Sequence, residues 1–265
     1  MWDPQAHYYP WLCDPQPIAL RYGDTTPLRR RYLVEDYRAD TAGWRIDHGV
    51  HVEAEWDPRD PRGEMLFIQE VMKGGFPTVA IGQAWLDRDD CAAVLESHAG
   101  RGFVRGVRHK PKPGMMDDRQ WRAGYARLAP FRLHFELQAP WRQLEEAARL
   151  AGDFPDTTIV LNHAGLPSDD DLPGWRNAMA RLAGRGNAAV KISGLGRVTK
   201  KREVVLTAIE LFGVARAMFA SNFPVDGLCA SFDAVYSGFD EITRGLSGPE
   251  RRALFHDNAV RIYRI

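Results

Sequence analysis

The residues able to do chemistry in this chain fall into a few short runs. His163 stands in Asn162-His163-Ala164-Gly165, directly after an apolar stretch. An imidazole there can polarise a carbonyl, bind a metal or carry a proton near neutral pH. The glycine permits the tight turn that would present it at a strand end. Arg108, His109 and Lys110 form a cationic cluster able to clamp a carboxylate, the arginine through two parallel hydrogen bonds. Glu53, near His51, offers a carboxylate for base chemistry. His134 and Glu136 share one face of an alternating stretch, as Lys191 and Ser193 do in another. Arg197 ends the loop Ser193-Gly194-Leu195-Gly196-Arg197, whose N–H groups could face an anion. The loop lacks a Gly-Lys-Ser/Thr ending, so it is no phosphate-binding signature. Asn222 can donate to a developing oxyanion, and Asp226, four residues on, is a second candidate base if its loop folds back. Each residue also has a plainer explanation: a buried, hydrogen-bonded histidine for His134 and His163, interior polar packing for His51 and Glu53, a solvated rim for the 108–110 cations, and a turn before Phe223-Pro224 for Asn222.

Bringing these residues together requires a particular set of elements. Short runs rich in Val, Ile, Phe or Ala predict strands over 50–56, 78–85, 103–109, 131–138, 157–163, 188–193 and 215–221. Helical patterns lie at 31–42, 62–73, 88–99, 117–129, 140–151, 173–184, 201–212 and 231–245, with Gly152 as a C-cap of the clearest of them. Residues 1–27, with five prolines, read as an irregular loop. Strand–helix alternation implies parallel strands joined by crossover helices. Seven strands against eight helices is one strand short of a closed eight-stranded barrel. Alternation within the strands assigns faces: Phe131, Leu133, Phe135 and Leu137 outward against helices, Arg132, His134, Glu136 and Gln138 inward. The same logic puts Val50, Val52, Ala54 and Trp56 outward and His51, Glu53 and Glu55 inward.

Composition sets the bounds. The 265 residues suit a single barrel domain spanning 1–265. With 45% hydrophobic and 26% charged residues, the chain is neither disordered nor fibrous. Lys+Arg 35 against Asp+Glu 35 removes a net electrostatic drive toward nucleic acid or anionic lipid. No apolar run approaches the ~20 residues of a membrane helix. Met1-Trp2-Asp3-Pro4 reads as neither a signal nor a transit peptide. Cys13, Cys91 and Cys229 are far apart and odd in number, so a reduced, cytoplasmic chain is expected.

Four stretches occur in order: Trp2-Asp3-Pro4 with Tyr9-Pro10-Trp11-Leu12; Gly106-Val107-Arg108-His109; Leu161-Asn162-His163-Ala164-Gly165; and Phe219-Ala220-Ser221-Asn222-Phe223-Pro224-Val225-Asp226. Together they resemble the amidohydrolase-related family of TIM-barrel hydrolases that includes sugar lactonases and 2-pyrone-4,6-dicarboxylate lactonase. The resemblance covers essentially the whole chain. It implies a (β/α)8 TIM barrel with the site at the C-terminal ends of the strands. Relatives carry a His-x-His pair just before Trp-Asp-Pro; here Met1 holds that place, so the first strand is expected to be missing or altered. Many relatives also have Asp where this chain has Asn222, and an amide is no carboxylate base and only a neutral, weaker metal ligand.

The resemblance implies hydrolysis of a lactone or other small cyclic ester in sugar or aromatic-acid catabolism. That reaction needs charge stabilisation on the tetrahedral oxygen and a base for the attacking water. His163 would polarise the carbonyl, with Asn222 beside it; Glu53 or Asp226 would serve as base; Arg108, His109, His134 and Arg197 would bind substrate. A zinc ion is conceivable by family analogy. His163 and His134 supply only two of the roughly three ligands a catalytic zinc needs, so no metal or other cofactor is expected. Two alternatives stand beside this one: a decarboxylase of the same superfamily, and a catalytically impaired barrel that binds a ligand or partner. The expected partner is a small anionic or polyhydroxylated substrate, with a homodimer compatible with exposed strand edges.

Overall fold

The β-branched and aromatic runs form seven strands: β1 (Val50–Val52), β2 (Val79–Gln83), β3 (Val104–His109), β4 (His134–Leu137), β5 (Ile159–Leu161), β6 (Ala188–Ile192) and β7 (Ala217–Phe219). They make one sheet in sequence order, every neighbouring pair parallel. This is a computed structural model describing residues 1–15 and 23–265. Between the strands run the crossover helices Gly63–Val71, Cys91–Ala99, Arg119–Tyr125, Leu144–Asp153, Leu172–Ala183 and Arg202–Phe212, with Phe232–Ile242 after β7 and Val34–Asp40 before β1. No helix among the described residues is long and apolar enough to cross a membrane.

Two apolar layers show that the sheet is curled. Outward residues such as Val107, Phe135, Leu137, Ile159, Leu161, Val190, Ile192 and Phe219 join the helices in one large core. Val79 and Ile81 of β2, Val160 of β5, Ala189 of β6 and Met218 of β7 meet in a second, separate cluster. Side chains from such distant strands touch only when a sheet bends round toward a barrel. Tyr263, on the final helix Asn258–Tyr263, belongs to that inner cluster and stops the interior at the strands' N-terminal end. Among the described residues no strand pairs with the outer edge of β1 or of β7.

Several expectations need correction. The strands are shorter than the apolar runs. Over 131–138 only 134–137 is strand; Phe131 is 37% exposed and Arg132 turns through φ 55°, so the outward face begins at Leu133. The faces of β1 are reversed: Val50 and Val52 border the inner cluster, while His51 Nε2 meets buried Glu64 of the following helix at 3.0 Å. Gly152 lies inside its helix, which Phe154 caps. The 1–27 tract is not wholly irregular. Trp2 pairs with Tyr32 in an antiparallel bridge, and Pro10–Cys13 is one helical turn. Trp2, Tyr9, Trp11 and Leu12 pack with Leu28, Tyr32 and Trp56 as a satellite core. Residues 16–22 of that tract lie outside the described residues.

Alternation also separates the cations of β3. Arg108 points inward, and its neighbour His109 must therefore point outward. There His109 is buried, and its Nδ1 accepts from Leu86 N at 3.3 Å and Trp121 Nε1 at 3.0 Å. Two donors on one nitrogen fix the neutral tautomer with the proton on Nε2. The expected substrate-binding role of His109 does not fit this placement.

Two predictions follow from this packing. Phe135 stacks edge-on against Trp121 and Tyr125 at centroid distances of 5.6 and 5.2 Å. Phe135→Ala should lower unfolding free energy by ~3–5 kcal/mol in a denaturant titration. Burial pushes the His109 pKa down to about 4 from its ordinary 6.5. The unfolded chain thus binds a proton that the folded chain refuses. The stabilisation is full above pH 6.5 and lost as pH falls toward 4, on the order of 3 kcal/mol in all. His109→Gln should flatten the stability curve between pH 4 and 6.5; an unchanged slope would show that His109 does not titrate this way.

Candidate active site

A cavity of about 440 Å³ opens at the C-terminal ends of the strands. Its wall takes Glu53–Glu55 from the segment after β1, Arg108 and Lys110 from the end of β3, Gln138 after β4, Asn162 and His163 after β5, Lys191 and Ser193 from β6, and Ala220–Phe223 after β7. It continues along the free edge of β1 to Gly49, Tyr37 and Phe76, beside Trp2 and Trp11.

His163 reaches this wall through an unusual backbone. His163 and Ala164 hold φ values of 54° and 48°, in the left-handed region that β-carbons disfavour. The surroundings enforce the turn. Trp175 Nε1 donates to Ala164 O at 2.7 Å, and His163 Nδ1 lies 2.9 Å from Ser193 Oγ. Asn222, at φ 54°, is a residue type that tolerates this region; its Nδ2 donates to Asp226 Oδ1 at 2.8 Å.

Charged groups in the wall come in pairs. Glu53 Oε1 accepts from Arg108 Nε at 2.5 Å, and Arg108 Nη2 donates to Glu53 O at the same distance. Glu53 also accepts from Glu55 N at 2.7 Å. Burial opposes the charge of Glu53, but Arg108 and then Lys110 outweigh it and hold the carboxyl below the usual range. Lys110 itself is ion-paired with Glu55. Below them Lys191 Nζ pairs with Glu136 Oε2 at 2.8 Å. Burial alone would raise the Glu136 pKa; the Lys191 ammonium, followed by His134, carries it well below the usual carboxylate range.

The cavity therefore gathers His163, Glu53, Arg108 and Asn222, and it does not gather the rest. His134 is buried under the floor, its Nε2 3.4 Å from Glu136 without hydrogen-bonding geometry, its ring edge-on to Tyr263. His109 faces the outer core. Arg197 is exposed outside the cavity wall, so the glycine-rich loop does not aim it inward. Asp226 does fold back, onto Asn222, and is not among the residues lining the cavity. Arg108, expected as a clamp for a free anion, has two of its three nitrogens committed to Glu53.

Sequence reasoning missed the deeper layer. Glu136 accepts from Lys191, from Asn162 Nδ2 at 2.8 Å and from Tyr263 OH at 2.7 Å. Glu64, pushed up to about 8 by burial and by Glu53, accepts from Ala54 N at 2.7 Å behind the cavity wall. Alternation had put Glu136 and Lys191 on inward faces; nothing in the sequence joined them to Tyr263.

The donor set does not fit a tightly held zinc. Among the described residues no three His, Cys, Asp or Glu side chains converge on one point, and a catalytic zinc takes about three. Of the nearest donors, Glu53 is locked to a guanidinium and Asn222 offers a neutral amide.

Known proteins share this architecture. The uncharacterized protein y4mH of Sinorhizobium fredii is 41% identical over 287 aligned residues, covering 100% of this chain and 96% of the relative. An L-fucono-1,5-lactonase of Burkholderia multivorans is 29% identical over 99% of this chain and 93% of its own. A crystal structure of an amidohydrolase from Burkholderia multivorans with bound HEPES superposes with a TM-score of 0.85 at 25% identity, covering 100% and 96% of the two chains. A form with bound zinc gives 0.83, again at 25% identity, over 97% and 94%. The amidohydrolase family model (Amidohydro_2) matches residues 2–265, every strand and every cavity-lining group but Met1 included, and the chain belongs to that family.

Proposed function

We propose that this chain hydrolyses a lactone or other small cyclic ester of sugar or aromatic-acid catabolism. The observation that carries the reading is the meeting of His163, the Glu53–Arg108 pair and Asn222 in one strand-end cavity. The fucono-lactonase relative supports the reaction class.

In this reading water attacks the ester carbonyl carbon, the ring C–O bond breaks, and the proton lost by water ends on the departing alkoxide. His163, oriented by Ser193, polarises the carbonyl and gives its proton to the departing alkoxide, the proton that Glu53 takes from water then restoring it. Asn222, oriented by Asp226, donates to the oxygen that gains charge. Glu53 orients the attacking water and accepts its proton. Arg108 keeps Glu53 ionised at neutral pH and in doing so makes it a weak base, so the chain is expected to be a slow hydrolase. Two further points belong to the same proposal. The first strand of the barrel is altered relative to the family, supported by the unpaired edges of β1 and β7 among the described residues. The chain works in the cytoplasm, supported by its three free cysteines.

His163→Asn and Glu53→Gln should each lower kcat/KM by ~10²–10⁴-fold in an indicator assay of acid release from aldonolactones, with melting temperatures near wild type. Asp226→Asn should cost less, since it touches the reaction only through Asn222. Chelator or added zinc should leave the rate unchanged. Carbon dioxide release from hydroxybenzoates on adding zinc would favour a decarboxylase. Saturable lactone binding without turnover would favour a binding barrel.

A further inference from the structure

The catalytic groups occupy only part of the cavity wall. Glu53, His163, Lys191 and Ser193 are buried and show it little surface. Much of the remaining wall is apolar and more open. Tyr37, Val50, Val52, Phe76, Phe223 and Val225 all line the cavity, and all six are only half-buried. None of these six side chains carries a charge at neutral pH. Along β1, acidic side chains begin only past the strand's end, with Glu53 and Glu55, and both are ion-paired. The peptide groups on the strand's free edge are neutral as well.

The aromatic members of this wall hold one another in place. The tip of the Phe76 ring abuts Gly49, where a β-carbon would stand 2.1 Å from its Cζ, so a residue with a side chain would push the ring away. Tyr37 stacks on Phe76 at 5.2 Å between centroids and meets Phe232 edge-on at 6.1 Å. Phe232 in turn meets Phe223 edge-on at 5.3 Å. This chain of four rings runs from Phe76, beside the start of β1, to Phe223, just past the end of β7. Such contacts favour particular ring geometries, so the apolar chamber is formed before a ligand arrives.

The cavity, at about 440 Å³, falls within the range of roughly 300–1,000 Å³ that takes drug-sized ligands. A bare lactone ring beside His163 would fill only part of it. Water against half-open apolar walls is displaced favourably by apolar ligand surface, whereas a charge placed there would lose its hydration without gaining a partner. Resting on the hydrolytic reading above, we infer that this chamber takes an uncharged apolar substituent, alkyl or aryl, carried on the lactone ring. The ester lies at the His163 end, and the substituent lies along β1 toward Tyr37 and Phe76. Val52 and Phe76 are then specificity-determining residues.

The test compares γ-valerolactone with γ-octalactone, which differ by three methylenes in an uncharged tail. The wild-type chain should prefer γ-octalactone by about 30-fold in kcat/KM, roughly threefold for each buried methylene. Val52→Thr puts a hydroxyl in the lining and should cut that preference by about threefold. Phe76→Ala removes a ring from the lining and should cut it by about tenfold. A general structural lesion would slow both lactones and leave their ratio alone. Circular dichroism checks folding. Tyr37→Ser, on a helix that buries none of its residues, replaces either variant that fails to fold and should lower the ratio in the same way. Ligand-observed NMR with 5-methyl- and 5-butyl-2-pyrrolidinone, lactams that should resist hydrolysis here, gives a second readout. Turnover without a preference for the longer tail overturns the chamber and leaves the hydrolase reading. A preference that none of these variants lowers places the tail elsewhere and also overturns the chamber. Tighter binding of the butyl lactam without any lactone turnover keeps the chamber and overturns the hydrolase reading. Neither turnover nor preferential binding overturns both.

Discussion

A single buried carboxylate organises this molecule. Glu136 sits on the inner face of β4 with no exposure to solvent, and burying an ion costs several kcal/mol unless its lone pairs are satisfied. Three elements supply donors: Lys191 from β6, Asn162 from the turn after β5, and Tyr263 from the last helix. Each donor fixes something else. Lys191 and Asn162 become the cavity floor. Tyr263 is drawn into the interior, so the final helix covers the N-terminal end of the barrel-like sheet. The turn that holds Asn162 carries His163 in the next position, so the same carboxylate helps to hold the left-handed backbone that presents the imidazole.

Much of this was legible in the chain, and the limits have physical causes. Every strand was located, because β-branched runs between glycine and proline signals leave few other structures. Alternation placed His134, Glu136 and Lys191 inward. The same rule, applied to Arg108 and His109, would have sent His109 outward; treating them as one cationic cluster ignored the two-residue period of a strand. For β1 the pattern was ambiguous. His-Val-Glu-Ala-Glu alternates equally well either way, and the decision rests on Glu64, whose buried carboxylate gives His51 a partner on the outer side. No local pattern announces a contact thirteen residues away on another element. Tyr263 lay in a short terminal segment with no recognisable motif, and its role exists only after the sheet has curled.

The departures from the family pattern act together. With Asn222 in place of an acid, the nearest carboxylate, Asp226, is used to hold the amide, and the wall carboxylates Glu53 and Glu55 are bound to Arg108 and Lys110. A base tied to a guanidinium is weaker than one in an apolar pocket, since the ion pair favours the charged form that proton transfer must neutralise. The arrangement preserves orientation at the expense of basicity.

Pairing also bears on which substrates the cavity can hold. Arg108 has Glu53, Lys110 has Glu55 and Lys191 has Glu136. Each of these three side-chain cations is matched by a carboxylate on another strand or loop. A carboxylate approaching any of these three must compete with an acid already in place. Hydroxyl groups face no such competition. They can share the remaining N–H donors of Arg108 and Lys191 without breaking an ion pair. The stretch of wall toward Tyr37 and Phe76 is aromatic and adds no charge to these pairs.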